Sequence, residues 1–508
     1  MTTTAAAPQL PVDVRRFAFR QGPGKGHLGE QNLVDDGAPT TSALPPRWAR
    51  SDSGRPLPLG THELLAGLPY PAPGRAAATP DPLGHLLVTA FGLQRREPSH
   101  RYADHRSVAS GRAKFPVHAF LAQGPSVRYL DVYRHALVDL APPGGAPAPA
   151  AAEGASVLLA ARYSDLPAAY GRMRYAVTEV ELGVNLRSLC VAADLFGVPA
   201  RLDLDGRSTA AAEAVVRSAG PGTWSAPLAV RLDLPDGPAA STALPGPSLD
   251  GPDRRDPLLE TADESVRDAV AVSAQRHGLP QTLSVPAHGL PAAGPEAAAG
   301  SPATGPDWAR VLWDRSAGRA PDQLYGFAMR PAAVGEDTLA DLLAWATQPP
   351  PDRLLARVAA RVRLSVAVQR VGGLAPGVHR FEAGGLTLHR RQPRIMAELQ
   401  PGFAQQPSPN TDSGMRHAAL VWVHSVDVDA LLDEFGPAAL GLLQLHLGWS
   451  VHGLCLGAAA HRLVARPARS FVEYHLQPLL GLGRKETPVF MTVCGTSRFT
   501  EPMLDLRT

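Results

Sequence analysis

The sequence predicts an α+β fold built twice, as two similar three-layer α/β/α sandwich domains packed as a pseudo-dimer within one chain. Three observations carry this prediction. The chain has 508 residues, more than one ordinary core accommodates. A Pro/Gly-rich tract divides it just past the middle. On each side of that tract the same order of patterns occurs: strand, hairpin, long apolar helix, strand.

In the first half, "FPVHAFLAQGPSVRYLDVYRHALVDL" (115–140) alternates apolar and polar residues around a turn, which signals a hairpin. "YSDLPAAYGRMRYAVTEVELGVNLRSLCVAADLFGVPARL" (163–202) then reads as a long buried helix. Asp165 with Pro167 is its expected start and Gly197 its expected stop. In the second half, "VRLSVAVQRVGGLAPGVHRFEAGGLTLHRR" (362–391) repeats the hairpin, and "VDVDALLDEFGPAALGLLQLHLGWSVHGLCLGAAAHRLVARP" (426–467) repeats the helix. The two helical stretches align without gaps. Tyr170-Gly171 falls over Phe435-Gly436, and Glu181-Leu182-Gly183 over His446-Leu447-Gly448.

Between the halves, 234–257 and 285–307 are dominated by Pro, Gly and Ala and flank one helical piece, 262–278. Such composition cannot offset the entropy of packing and belongs in linkers. A similar run at 141–154 reads as a surface insertion. The expected map is an N-terminal extension over 1–84, a first domain over 85–235, a linker with one helix over 236–305, and a second domain over 306–508.

Composition excludes several classes. A net charge of +2 generates no field that would select nucleic acid or an anionic membrane. Cys190, Cys455 and Cys494 have no zinc or CxxC spacing, and their odd number argues against a disulfide framework, so all three are expected as buried thiols. HExxH is absent, so no metal is expected, and His446, His452 and His461 are expected in the core or at an interface. The N-terminus lacks a signal-peptide pattern, and no apolar run is expected to approach the roughly 20 residues that span a bilayer. A cytoplasmic protein is expected.

Five further segments follow one another in a telling order. They are "WDRSAGRAP" (313–321), the hairpin with "APGVHRF", the long helix with Leu-Gly, "ARPARSF" (465–471), and the strand "TPVFMTVCG" (487–495). This order resembles the FMN-dependent nitroreductase superfamily, and within it the SagB/ThcOx-type azoline dehydrogenases of ribosomal peptide natural product biosynthesis. "ASGRAKFPVHAF" (109–120) is similar to that family's Pro-Ser-x-Gly-Ala-Arg-x-Pro-Leu-Glu-x-Tyr segment, with Ser110, Ala113, Lys114 and Pro116 in register. The resemblance covers about 85–235 and 306–499. It departs at the family's Lys-Tyr-Gly helix start, which is Ala169-Tyr170-Gly171 here.

The resemblance implies a tandem nitroreductase-like fold, FMN as cofactor, and a peptide substrate whose azoline rings are oxidised to azoles. It also implies a leader-binding cyclodehydratase as partner, and leaves further homo-oligomerisation open. The second half keeps Arg315, Ser316 and Arg319 together with Arg469 and Ser470, and Arg498 follows near the C-terminus. The first half keeps Ser110, Arg112 and Lys114. The retained parts are complementary, so one composite FMN site per chain is expected between the halves. Guanidinium forks and a serine hydroxyl suit a phosphate. Tyr170 is the expected catalytic base or relay, with Arg172 and Arg174 near it in sequence; Glu181, Glu179 and Trp449 are secondary candidates. Two other readings are an NAD(P)H-dependent reductase of a small molecule and a catalytically degenerate scaffold in a peptide-modifying complex.

Overall fold

The computed structural model describes residues 52–71, 79–98, 104–124, 126–140, 155–166, 170–218, 223–234, 241–244, 264–282, 285–291, 305–318, 327–328, 332–403, 414–469, 471–497 and 503–508. The first unit runs β1 (Ser53–Pro56), α1 (Thr61–Ala66), α2 (Pro82–Phe91), β2 (Leu93–Arg96), β3 (Asp104–Arg106), β4 (Val117–Gln123), β5 (Ser126–Asp131), β6 (Ala136–Asp139), β7 (Ala155–Ala161), α3 (Met173–Phe196), β8 (Ala200–Asp203), α4 (Gly206–Ser218), β9 (Leu228–Leu232) and β10 (Thr242–Ala243). A joining helix, α5 (Glu264–Ser273), follows. The second unit runs α6 (Trp308–Asp314), α7 (Glu336–Thr347), α8 (Arg353–Ala359), β11 (Arg363–Val368), β12 (Gly377–Glu382), β13 (Gly385–Arg391), α9 (Ile395–Leu399), β14 (Leu420–Asp427), α10 (Val428–Phe435), α11 (Ala439–Ala460), β15 (Val464–Ala468), α12 (Glu473–Leu479), β16 (Glu486–Gly495) and β17 (Leu504–Asp505).

Each unit is organised on an antiparallel sheet. The strand orders are β10-β1-β6-β5-β4-β7-β9-β8 and β13-β12-β11-β14-β16-β15. Without β10 and β1, the first order matches the second strand for strand. Alternation along the strands sends side chains to two cores. In the first unit Val117, Ala119 and Leu121 pack toward α3. Phe120 and Ala122, on the opposite face, pack against Val215 and Val216 of α4. In the second unit Leu420 and Trp422 face α11, while Val421 and Val423 face α9 and α12 through Ile395 and Leu476. Each sheet thus lies between helical layers, the three-layer sandwich expected twice.

The two long helices meet at the aligned glycines. A Cβ on Gly183 would lie 2.1 Å from the Leu445 carbonyl oxygen, and one on Gly448 would lie 2.0 Å from that of Val180. Only glycine permits this approach, so Gly183 and Gly448 mark the crossing point of α3 and α11. A second aligned pair, Gly171 and Gly436, both adopt left-handed backbone (φ +47° and +64°). Gly171 lies just ahead of α3, and Gly436 separates α10 from α11.

Several expectations are revised. α3 begins at Met173 rather than at Asp165, because Asp165 sits in a separate turn paired with His118 and Arg162; Gly197 does close the helix, in left-handed conformation. The second helical stretch is two helices, α10 and α11. An apolar run of spanning length does exist, contrary to expectation. Val428–Ala460 is long and apolar enough to cross a membrane, and its apolar window is wholly buried inside the protein, as in a core helix. The boundary expected at 84/85 falls inside α2, and β1, from the expected extension, pairs with β6 of the first sheet. β17, at the far end of the chain, pairs with β2 of the first unit. Cys190, Cys455 and Cys494 are buried free thiols. Among the described residues no cluster has metal-ligand composition.

Candidate functional site

Arg315 follows directly from the end of α6. Asp307 caps the start of that helix through the Arg310 amide (2.7 Å). At its other end, the first unit takes hold of the exposed carbonyls. Arg95 on β2 donates to the carbonyl of Trp313 (2.6 Å) and to that of Arg315 (3.3 Å), and Arg95 is itself paired with Glu97 (3.0 Å). A cation at a helix C-terminus satisfies both the orphan carbonyls and the helix dipole. Arg315 returns the contact: its Nη2 donates to the carbonyl of Arg106 on β3 (2.9 Å). The Arg315 side chain is therefore buried on the seam between the units. Its Nε has no partner, and it makes no ion pair among the described residues. Burial, with Arg95 nearby, lowers its pKa to about 10.

Ser316 lies beside it. Its Oγ accepts from the Gly318 amide (3.1 Å), and among the described residues its hydroxyl proton has no acceptor. Arg466 on β15 fixes this turn from below by donating to the carbonyls of Ala317 (3.0 Å) and Gly318 (2.8 Å).

The first unit contributes the segment around Ser110. Ser110 Oγ accepts from the Phe115 amide (2.8 Å), and the Gly111 amide donates to Glu181 Oε1 (2.7 Å). Ala113 and Phe115 both have left-handed backbone, at φ +48° and +47°. Such strain in non-glycine residues is held by its surroundings and concentrates at functional sites. Glu181 is buried, and its Oε2 has no partner. Burial pushes its pKa up to about 8, against the opposing bonds from Gly111 and Ser110 and the charge of Arg106. Its carboxyl therefore favours the protonated form more than an exposed glutamate does.

Lys114 and Arg106 line one small cavity, together with Asp131 and the His118–Asp165 pair. Lys114 is buried and makes no ion pair or side-chain hydrogen bond among the described residues. The Arg106 guanidinium lies 4.4 Å from the Phe115 ring centre and 5.8 Å from that of Tyr133, and its Nε is buried without a partner. Arg106, Asp131 and the His118–Asp165 pair were not candidates from the sequence. Only their positions near strand ends of β3, β4 and β5 bring them together.

The pseudo-symmetric counterpart of the Arg315 side is filled differently. Arg187 on α3 corresponds to His452 on α11. Arg187 donates to the carbonyls of Gly289 (2.9 Å), Trp345 (3.1 Å) and Trp449 (3.2 Å), and its guanidinium lies 5.1 and 4.7 Å from the ring centres of Trp345 and Trp449. Gly289 belongs to the linker and rests on α3, where a Cβ would meet the Val191 amide nitrogen at 2.3 Å. His452, by contrast, has both ring nitrogens buried without partners, and burial together with Arg315 holds its pKa well below the usual value.

The remaining candidates are dispersed. Tyr170 is half-buried one turn before α3 and does not line the cavity. Its neighbour Arg172 is 3.6 Å from Asp268. Glu179 is buried in a network with Tyr163 (2.6 Å), Ser273 (3.0 Å) and Arg276. Trp449 donates to the Gln348 carbonyl (3.0 Å). Arg469 is buried and paired with Glu473 (3.1 Å). Arg319, Ser470, Arg498 and the side chain of Arg112 lie outside the described residues.

No protein-family model matches the chain, and no curated protein matches it. Solved structures do. A nitroreductase candidate from Anabaena variabilis is similar over 93% of this chain and 99% of its own, with 16% identity and a TM-score of 0.57. A nitroreductase candidate from Ralstonia eutropha covers 40% of this chain and 88% of its own, with 15% identity and a TM-score of 0.29. The E. coli microcin synthetase McbBCD complex, with truncated pro-MccB17 bound, covers 34% of this chain and 69% of its own, with 12% identity and a TM-score of 0.28. The last two carry no argument at that level of similarity. The first runs through both units, and with the matching strand orders it makes the architecture a tandem nitroreductase-like fold.

Proposed function

We propose that this chain is an FMN-dependent oxidoreductase with one flavin, held on the Arg315 side of the seam. One observation carries the proposal. Arg315 is a buried cation that makes no ion pair among the described residues and has an unsatisfied Nε, where a phosphate would supply both charge and acceptors. The unspent Ser316 hydroxyl adds a donor. Arg319, three residues further along the sequence, completes the phosphate set in this reading. The counterpart position is closed by Arg187, two tryptophans and the linker, which supports one flavin rather than two.

The reaction we assign is oxidation of azoline rings to azoles in a ribosomally made peptide, with a cyclodehydratase as partner. It is supported by Tyr170-Gly171, just ahead of α3, and the Ser110–Pro116 segment, the residues that resemble the azoline dehydrogenases. Dehydrogenation removes a proton and a hydride from the ring; Tyr170 takes the proton as its phenolate, or relays it by passing on its own phenolic proton as it accepts the new one. FMN, when bound, supplies the hydride-accepting ring.

An absorption spectrum of purified protein, with FMN counted per chain, tests the cofactor. About one FMN per chain is expected, and Arg315→Ala should weaken its retention about tenfold or more, the worth of a charge-assisted bond. Colourless protein that does not take up added FMN would overturn the proposal. Reoxidation by oxygen after turnover with an azoline peptide supports the assigned reaction. Rapid bleaching by NADPH without peptide turnover would assign a reductase instead. Tyr170→Phe should retain flavin and lose turnover; unchanged turnover ends its role.

A further inference from the structure

The cavity in the first unit has a composition that the flavin proposal does not use. It contains two cations that form no ion pair among the described residues, Arg106 and Lys114; Arg106 is near enough to Asp131 to favour its charged form, and Lys114 is only 8% exposed. It also contains one carboxylate with a free oxygen. Asp131 is 2% exposed; its Oδ1 accepts from the amides of Tyr133 and Arg134 (both 3.0 Å), while its Oδ2 is buried without a partner. Burying an unpaired charge costs several kcal/mol unless a ligand or water compensates. Three such groups around one space demand an acceptor on one side and a donor on the other.

We propose that this cavity is a binding site for a small carboxylate that carries an adjacent hydrogen-bond donor, a hydroxyl or an ammonium. The ligand carboxylate lies against Arg106 and Lys114. Arg106 is already oriented by the Phe115 and Tyr133 rings, so its planar fork is presented with little further loss of freedom. The adjacent donor meets Asp131 Oδ2. A dianion such as phosphate is disfavoured, because Asp131 would face it with like charge. His118 closes the cavity in a fixed state, bonded to Tyr129 through Nδ1 (3.0 Å) and to Asp165 through Nε2 (2.7 Å). It is therefore wall rather than ligand.

The site is separate from the proposed flavin phosphate position, although the two share Arg106 as a structural link: its carbonyl holds Arg315, and its guanidinium faces the cavity. A ligand here would fix the Ala113–Phe115 turn, which is strained at Ala113 and Phe115.

Isothermal titration of the full-length protein, as purified and with its flavin content recorded, decides the matter with acetate, glycolate, glycine and inorganic phosphate as probes. Glycolate or glycine should bind about tenfold more tightly than acetate, the worth of one bond to a charged group. Which of the two binds better separates a hydroxyl from an ammonium ligand. Asp131→Asn keeps Oδ1 for the turn and should abolish the advantage over acetate. Lys114→Met should weaken all three carboxylates about tenfold, and Lys114→Arg should restore them. Should Lys114→Met fail to fold, Lys114→Arg and Asp131→Asn still decide. No saturable heat at millimolar ligand means that water alone fills the cavity and overturns the proposal. So does acetate binding as tightly as glycolate and glycine, or phosphate binding best. Colourless protein that still binds glycolate would sink the flavin reading and leave this one standing.

Discussion

Glu181 shows how one side chain couples the seam to pH. Its carboxyl is buried with a single backbone donor and the Ser110 hydroxyl, so the charged form is costly and the pKa rises from 4.5 to about 8. The folded protein binds this proton more tightly than the unfolded chain does. The stabilising contribution is therefore full below pH 4.5 and is lost as pH rises through about 8. Glu181→Gln keeps the acceptor for Gly111 and cannot ionise. The variant should show a flatter melting temperature between pH 4.5 and 8 and should be the more stable protein above that window. Thermal melts across pH measure this, and a wild-type slope that survives in Glu181→Gln would assign the pH dependence elsewhere. At the same scale, Arg187 and His452 show how equivalent positions diverge. One is a cation saturated by carbonyls, the other an imidazole left without partners beside Arg315.

At the scale of elements, the crossing of α3 and α11 decides how the units meet. The glycines there are in direct van der Waals contact with the opposite backbone, and a methyl group has nowhere to go. Gly183→Ala and Gly448→Ala should each destabilise by about 2 kcal/mol or more, as overpacking does when the obstacle is backbone. Because both act on one contact, the double variant should cost less than the sum. Denaturant titrations of the three variants check this; additive costs would place the glycines in separate environments. The glycine pairs were legible beforehand, since aligning the two apolar stretches without gaps places Gly183 on Gly448 and Gly171 on Gly436, but nothing in the alignment told that the helices cross there. The strand orders were legible only as repeated hairpins. β1 was not legible, because a four-residue strand carries too little pattern to reveal that it pairs with β6 some eighty residues later. The cavity was not legible for a related reason. Arg106, His118, Asp131 and Asp165 are spread over sixty residues, and each is bland in its local context until the sheet gathers them. Ser110, Lys114 and Arg315 were legible as polar residues in suggestive segments, but nothing local told that Ser110 would bond its own turn while Lys114 would turn into a cavity.

At the scale of the whole molecule, the repeat argues for two domains and the packing argues for one. A single apolar core runs from Leu57, through both faces of α3 and α11, to Cys494, with no break at the linker. A smaller cluster joins Leu65 and Tyr70 to Trp308, Trp345 and Leu456. Arg95 holds the end of α6 across the seam, and β17 returns the C-terminus to β2 in the first unit. Removing either unit would expose the apolar faces of both long helices, at about 25 cal/mol for each Å² returned to water. The chain should therefore unfold in one cooperative transition despite its length, with the calorimetric and van't Hoff enthalpies in agreement. Cleavage within 292–304, between the linker segment on α3 and the start of the second unit, should leave the two fragments associated through gel filtration. Two resolved calorimetric transitions, or fragments that separate as folded monomers, would show instead that the units are independent domains and that the seam is only a contact between them.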